Sequence, residues 1–245
     1  MKENFKAYKN VFERSTIKAI FDLIAKGIIK GMESPIKIGK ESNIFSAIRE
    51  IDGKDERVAL KIYRISTCDF KRMKKYLILD PRYKVGNSRK TIILQWAKRE
   101  FSNLTKCYKN NISVPKPIAR KDNVIVMEFI GNKKVDEMPI PASLLKDKIP
   151  KNTKKFFLCL IEEIKKMYLN AKIIHGDLSE YNILNYNEKP IIIDLSHGLP
   201  AIGYREYLRR DIENIVRFFK KLNLDIDKEE IEKYITKEIE EIKWM

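Results

Sequence analysis

Asp177, Asn182 and Asp194 constrain this chain more than any other residues. They lie in Ile173-Ile174-His175-Gly176-Asp177-Leu178-Ser179-Glu180-Tyr181-Asn182-Ile183-Leu184 and in Ile191-Ile192-Ile193-Asp194. Apolar pairs flank the first stretch, and isoleucines run up to the second Asp, so the polar groups are carried at the ends of buried strands. A carboxylate in such a place is costly unless something pairs with it, and a metal cation would. Asp177 precedes Asn182 by five positions. Phosphoryl-transfer sites use this spacing to place a carboxylate at the attacking hydroxyl and an amide oxygen at the metal. Asp177 would accept or orient the nucleophile's proton. Asn182 and Asp194 would supply the hard oxygens that Mg2+ prefers. Alone, the first stretch could be a polar loop between strands; the two pieces together point to an ATP–Mg site.

The chain has 245 residues, enough for one large domain or two lobes with a real core. Hydrophobic residues make up 44%, which argues against disorder. Lys and Arg number 50 against 34 acids, a formal charge of +16. A merely soluble, Lys-rich surface usually balances Lys with Glu, so the excess favours a polyanionic partner. Nucleic acid is the first candidate and a membrane surface a weaker one. Cys68, Cys107 and Cys159 are far apart and in no CxxC spacing, as expected of reduced thiols in a cytoplasmic protein without zinc. No apolar run reaches transmembrane length, and the start Met1-Lys2-Glu3-Asn4 has no signal core.

In chain order, residues 10–30 read as a helix, with Val11, Phe12, Ile17, Ile20, Phe21, Ile24 and Ile28 at helical spacing. Residues 34–64 read as strands around turns, with Asp52-Gly53 as a hairpin signal. The turn Gly39-Lys40-Glu41-Ser42-Asn43 is either a plain hairpin or a cover for phosphates, with Lys40 and Ser42 as its binding candidates. Val58-Ala59-Leu60-Lys61-Ile62 is a strand whose lysine either snorkels at an edge or holds the α- and β-phosphates. Residues 68–90 are polar and basic. They form a long insertion, read equally as a mobile loop or as a segment that folds over nucleotide or touches RNA. A helix follows over 89–108. Its Glu100 is the candidate partner of Lys61, against the plainer reading of a surface Glu beside Lys98 and Arg99.

Residues 123–130 read as a strand ended by Gly131. By chain order it is a hinge, with Met127 lining a purine pocket and backbone groups of Glu128 and Ile130 meeting the adenine edge. Residues 132–151 would join two lobes loosely, giving an N-terminal lobe over 1–130 and a C-terminal lobe over 131–245. Asn152 caps a helix bearing Phe156, Phe157, Leu160, Ile161, Ile164 and Met167. A helix is expected over about 203–222. A last one opens with Asp227 and Glu230 in capping-box spacing and carries Ile231, Tyr234, Ile235, Ile239 and Ile242. Only 51 residues follow Asp194 in the 245-residue chain, with no D-F-G and no A-P-E. The parts that handle ATP are kept and the parts that dock a peptide are missing.

The chain resembles the RIO-type atypical serine/threonine protein kinases, and within them the first subfamily, over roughly residues 10–222. The resemblance rests on His175-Gly176-Asp177-Leu178-Ser179-Glu180-Tyr181-Asn182, on Gly86-Asn87-Ser88-Arg89-Lys90 with Trp96-Ala97-Lys98-Arg99-Glu100, and on Gly39-Lys40-Glu41-Ser42-Asn43. The start Val11-Phe12-Glu13-Arg14-Ser15-Thr16 is also similar. It implies an α+β, two-lobed protein-kinase-like fold with a truncated C-terminal lobe. It implies binding of ATP with Mg2+ (Mn2+ as an alternative), kinase and ATPase activity, and a role in maturing the small ribosomal subunit or its rRNA. It carries the catalytic role to Asp177, metal binding to Asn182 and Asp194, phosphate binding to Lys61 and Ser42, and orientation of Lys61 to Glu100. It makes Asp194 an acceptor able to form an aspartyl phosphate, and 68–90 the subfamily's flexible loop. Lys37-Ile38, Gly176 and Asp194-Leu195-Ser196-His197-Gly198 depart from the family's pattern. Other readings are an ATP-binding RNA scaffold with little turnover, a small-molecule kinase, and the small kinase of the tRNA threonylcarbamoyl complex. Neither a membrane nor DNA is expected as a partner.

Overall fold

The computed structural model describes residues 12–242, so Val11 lies outside the described residues. Helix α1, Arg14–Ala25, buries Thr16, Ala19, Ile20 and Leu23 on one face. It ends before the expected residue 30 because the chain leaves the helix in a Schellman motif. Gly27 takes φ 66°. The N–H of Ile28 returns to Leu23 O at 3.0 Å and that of Gly27 to Ile24 O at 2.9 Å.

The chain divides into two compact units. The first runs up to Phe101 and takes in Lys116–Pro141. Its strands are β1 (Gly31–Ile38), β2 (Ser42–Ile51), β3 (Lys54–Tyr63), β4 (Pro117–Lys121) and β5 (Val124–Glu128). They form an antiparallel sheet ordered β1-β2-β3-β5-β4. Asp52 and Gly53, at φ 50° and 74°, close the β2–β3 hairpin, as a right-twisted pair requires. Val58, Leu60 and Ile62 point to one face of β3 and pack with α1, Phe45, Val124 and Val126. The other face carries Tyr63 and meets Ile92, Ile93 and Trp96. β5 stops at Glu128, short of the expected Ile130.

The insertion is not a structureless loop. Phe70–Ile78 forms helix α2, capped by the Asp69 side chain, which accepts from Arg72 N at 3.1 Å. Met73 and Leu77, one turn apart, are its buried face. Helix α3 follows, Arg89–Lys109. The segment after β5 is also tied down. The buried Arg57 guanidinium donates to Lys134 O at 2.6 Å and Glu137 O at 2.7 Å, and pairs with Glu33 at 2.6 Å.

The second unit comprises Ser102–Pro115 and the chain from Ala142 onward. Its elements are β6 (Ser143–Leu144), α4 (Thr153–Leu169), β7 (Ile173–Ile174), β8 (Ile183–Tyr186), β9 (Lys189–Ile192), β10 (Leu199–Pro200), α5 (Arg205–Lys220) and α6 (Lys228–Ile235). β6, β8 and β9 make one small sheet and β7 pairs with β10. Asn152 caps α4 on Lys155 N at 2.9 Å. The α4 stripe packs on α5, with Phe157 edge-on to Phe219 at 5.0 Å between centroids. α6 is shorter than its expected stripe. Asp227 caps it by accepting from Glu229 N, and Lys237 at φ 64° takes Ile239 and Ile242 off the helix. No helix among the described residues is long and apolar enough to cross a membrane.

Candidate active site

The first unit supplies a buried lysine and a tight turn. Lys61 lies on β3, whose neighbours on both sides satisfy its backbone, so its side chain leaves the sheet at a fixed point. Its Nζ meets Glu100 Oε1 of α3 at 2.6 Å, with the lysine 5% and the glutamate 2% exposed. Glu100 is therefore not a surface residue. Its second oxygen accepts from the Tyr63 hydroxyl at 2.5 Å. Tyr63 was not among the candidates, although alternation along β3 puts it on the same face as Lys61.

In the turn before β2, the Gly39 N–H donates to Ser42 O at 3.1 Å and to Asn43 Oδ1 at 3.3 Å. A Cβ on Gly39 would come within 2.8 Å of the Ser42 carbonyl oxygen, so the tightness of this turn requires glycine. Ser42 begins β2. The Lys40 carbonyl accepts from the Thr67 hydroxyl at 3.1 Å, while its side chain is exposed. Met127 and Glu128 end β5. The Glu128 N–H is already given to Lys116 O at 2.8 Å, so a purine edge would have to use other backbone groups of this stretch, such as those of Ile130.

The second unit supplies two loops. Residues 175–182 connect β7 to β8 and hold Asp177 and Asn182. Asn182 Nδ2 donates to Asp177 O at 2.8 Å, which fixes the amide so that Oδ1 is the atom it offers to a cation. The Ile193 N–H donates to Asn182 O at 3.0 Å and ties this loop to the one bearing Asp194. His175 is buried, and its Nε2 lies 2.9 Å from Ile193 O, an acceptor, so the ring donates there. Asp177 is the open carboxylate of the set, 43% exposed along its side chain, with His197 Nδ1 at 3.9 Å.

Asp194 is not the last residue of a strand, since β9 ends at Ile192. It adopts a left-handed backbone, φ 61° and ψ 63°. That conformation is costly for a residue with a Cβ and is found where surrounding contacts impose it. The Ser196 hydroxyl donates to its Oδ1 at 2.6 Å. Asn103, fully buried, donates from Nδ2 to Leu195 O at 3.0 Å and Gly198 O at 3.1 Å, bracing the turn that follows Asp194. An amide oxygen on Asn182 and a carboxylate on Asp194 are the sparse, hard donor set that suits Mg2+, which keeps waters and phosphates as its other ligands.

Helix α5 clamps the first of these loops. Asp211 accepts from Gly176 N at 2.7 Å and Leu178 N at 2.8 Å. Asn214 donates to Leu178 O at 3.1 Å, and Arg210 donates to Gly176 O. Burial pushes the Asp211 carboxyl up to about 6. Sequence reasoning passed over Asp211, yet its signal was present: it is an acid within the apolar stripe Leu208, Ile212, Ile215 and Phe219.

A RIO domain model matches residues 43–233. The RIO-type serine/threonine-protein kinase Rio1 of Methanocaldococcus jannaschii is 38% identical over 244 residues, 98% of this chain and 81% of its own. The protein of the same name from Haloferax volcanii is 34% identical over 237 residues, covering 96% and 79%. Among solved structures, the Rio2 kinase of Chaetomium thermophilum in an ADP/Mg2+-phosphoaspartate complex superposes with a TM-score of 0.63 at 25% identity. That match covers 88% of this chain and 64% of the other, so this chain spans less than two thirds of the solved one.

Proposed function

This chain belongs to the RIO family, and from that premise we propose that it is an ATP- and Mg2+-dependent serine/threonine phosphotransferase that also hydrolyses ATP. Its fold is the kinase-like one that the order of its motifs predicts. We further place its work in the cytoplasm, on the maturing small ribosomal subunit or its rRNA.

The observation that carries the catalytic reading is the Lys61–Glu100 pair at 2.6 Å. A buried ion pair contributes little to stability compared with well-packed apolar residues. This one is better explained by a lysine held ready for an anion. Lys61, oriented by Glu100 and Tyr63, would hold the α- and β-phosphates of ATP. Asp177 would take the proton of a serine or threonine hydroxyl as its oxygen bonds to the γ-phosphorus. The bond from that phosphorus to the bridging oxygen breaks, and ADP leaves. Asn182 and Asp194 would hold the metal, which neutralises charge on the phosphates. In the hydrolytic branch a carboxylate oxygen of Asp194 would bond to the γ-phosphorus as its bond to the bridging oxygen breaks and ADP leaves; water would then cleave the acyl phosphate, giving inorganic phosphate and restoring the carboxylate.

The test is to incubate the pure chain with Mg2+ and γ-labelled ATP, quench it, and treat half with hydroxylamine. Label lost to hydroxylamine is an acyl phosphate and supports the Asp194 branch. Label that survives is phosphoserine or phosphothreonine and supports kinase chemistry. Nucleotide binding with neither label nor phosphate release would replace this reading with an ATP-binding scaffold. Asp177→Ala should abolish turnover while nucleotide still binds.

A further inference from the structure

Half of the chain's net charge lies in one stretch. Residues 66–99 contain ten Lys and Arg against two acids, +8 of the total +16. Asp80 faces inward, and Asp69, though exposed, is engaged at the start of a helix. Asp69 caps α2. Asp80 is fully buried, with Arg82 on it at 2.6 Å and Arg99 at 3.4 Å. The outward cations Lys71, Lys75, Lys84 and Lys90 are exposed and in no ion pair among the described residues.

These lysines ride on a packed body. Lys71 and Lys75 stand one turn apart on α2, opposite the buried Met73 and Leu77. The Arg89 guanidinium sits 4.6 Å over the Phe70 ring and also donates to Ser66 O, joining the start of α3 to the start of α2. The arrangement works against the fold. Like charges repel, and α3 has no acid in its first turn, where Lys90 instead meets the positive end of the dipole; at α2 the single carboxylate of the Asp69 cap is set against Lys71, Arg72, Lys74 and Lys75. An external anion relieves both costs.

The chemistry of the face selects the anion. The arginines at 82, 89 and 99 are used within the fold, and the outward groups are lysines together with the exposed Arg72 of α2. Lysine ammonium groups act as point charges that can follow a phosphate backbone without reading sequence, and an arginine beside them can take a phosphate bidentately. The half-buried rings of Tyr76 and Tyr83 pack against the core of this unit, with Trp96 beside the first and the Arg82 guanidinium 5.5 Å over the second, and anchor the face that carries these charges. Ile78, 62% exposed, is the one large apolar residue the helix shows, too little to enter a lipid surface.

We propose that the outer face of α2, with residues 84–90, binds the phosphate backbone of structured RNA. The choice of RNA rests on the ribosomal reading above; the anion site itself rests on the charge arrangement. The experiment uses the full chain and a labelled RNA hairpin, with anisotropy read at several salt concentrations between 50 and 200 mM.

One variant combines Lys71→Gln, Lys75→Gln, Lys84→Gln and Lys90→Gln. A second makes the same charge change elsewhere, with Lys148, Lys151, Lys155 and Lys221 each changed to Gln. The first should bind RNA about tenfold or more weaker, with a salt slope smaller by about 3, while the second changes little. ATP turnover of the first variant should match the parent, and its melting temperature should be no lower, since the removed charges repel one another. Equal losses in both variants, or no loss in the first, overturn the proposal. So does tighter binding to anionic lipid vesicles, or to duplex DNA of equal length, than to RNA. Loss of RNA binding beside a failed phosphoryl-labelling assay would keep the surface and remove the catalytic reading.

Discussion

Asp211 reaches 33 residues back along the chain to accept the backbone N–H of Leu178 at 2.8 Å. It thereby fixes the loop that carries Asp177 from a helix that carries none of the groups proposed for chemistry. Burial, the largest influence, raises this carboxyl to about 6, and the unfolded chain titrates near 3.9. Between those values the folded chain holds a proton that the unfolded chain lacks. The stability contributed by this group is therefore full below about pH 4 and is lost as pH rises through about 6, on the order of 3 kcal/mol. Urea unfolding from pH 4 to 7 should show that decline, and Asp211→Asn should flatten it. The amide has one oxygen for the two N–H groups of Gly176 and Leu178. Its kcat should fall about tenfold or more with KM for ATP nearly constant.

Asn103 braces the turn after Asp194 with two hydrogen bonds from one amide nitrogen. Asn103→Ala would remove both of these buried hydrogen bonds, at about 2 kcal/mol of stability. The Mg2+ concentration for half-maximal turnover should rise severalfold. A Cβ on Gly198 would come within 2.7 Å of Asn103 Nδ2. Gly198→Ala should reproduce the effect, and the two changes together should be less than additive. Additive losses would show that the two residues act separately.

Tyr63 and Lys61 divide the oxygens of Glu100. Tyr63→Phe removes the 2.5 Å bond but leaves the 2.6 Å ion pair. It should cost about 1–3 kcal/mol of stability, and kcat/KM should fall several-fold. Glu100→Ala should be worse, about 3–5 kcal/mol, because it strands a buried ammonium. Chemical denaturation and steady-state turnover of both variants check the order, and a reversal would contradict the geometry.

Asp80 holds the insertion together. Arg99, lowered to about 10 chiefly by burial, leans on it, and Arg82 is bound to it by two bonds. Asp80→Ala would leave the Arg99 guanidinium buried against no carboxylate of its own, at about 3–5 kcal/mol. Limited proteolysis should then cut within residues 66–90 much faster than in the parent, while an unchanged cutting rate would mean that α2 holds by its apolar face alone.

The sequence exposes residues whose chemistry conflicts with their surroundings. Asp194 after isoleucines, Lys61 within an apolar strand and Asp177 with Asn182 at fixed spacing all stand out that way. Asn103 does not, because an amide in a basic helix conflicts with nothing until the turn it braces is folded against it. Helix α2 is hidden for a related reason. Its buried face is only Met73 and Leu77, and its cap is one Asp, so eight basic residues across 69–90 outweigh the pattern. The early end of α6 turns on Lys237 entering the left-handed region, a choice that no local propensity announces. Gly27, by contrast, could have marked the end of α1 from sequence alone.

Directed evolution of this chain for heat resistance would meet a trap at position 194. A backbone at φ 61° favours glycine or asparagine over aspartate, so libraries scored only by melting temperature would enrich Asp194→Gly, at a gain on the order of 1 kcal/mol. The enriched clones would be hardy and inert, without the oxygens that the proposed metal and phosphoryl group require. Selection in a cell that needs turnover would push the other way. The strain in that one residue therefore measures how much durability this fold gives up to remain an enzyme.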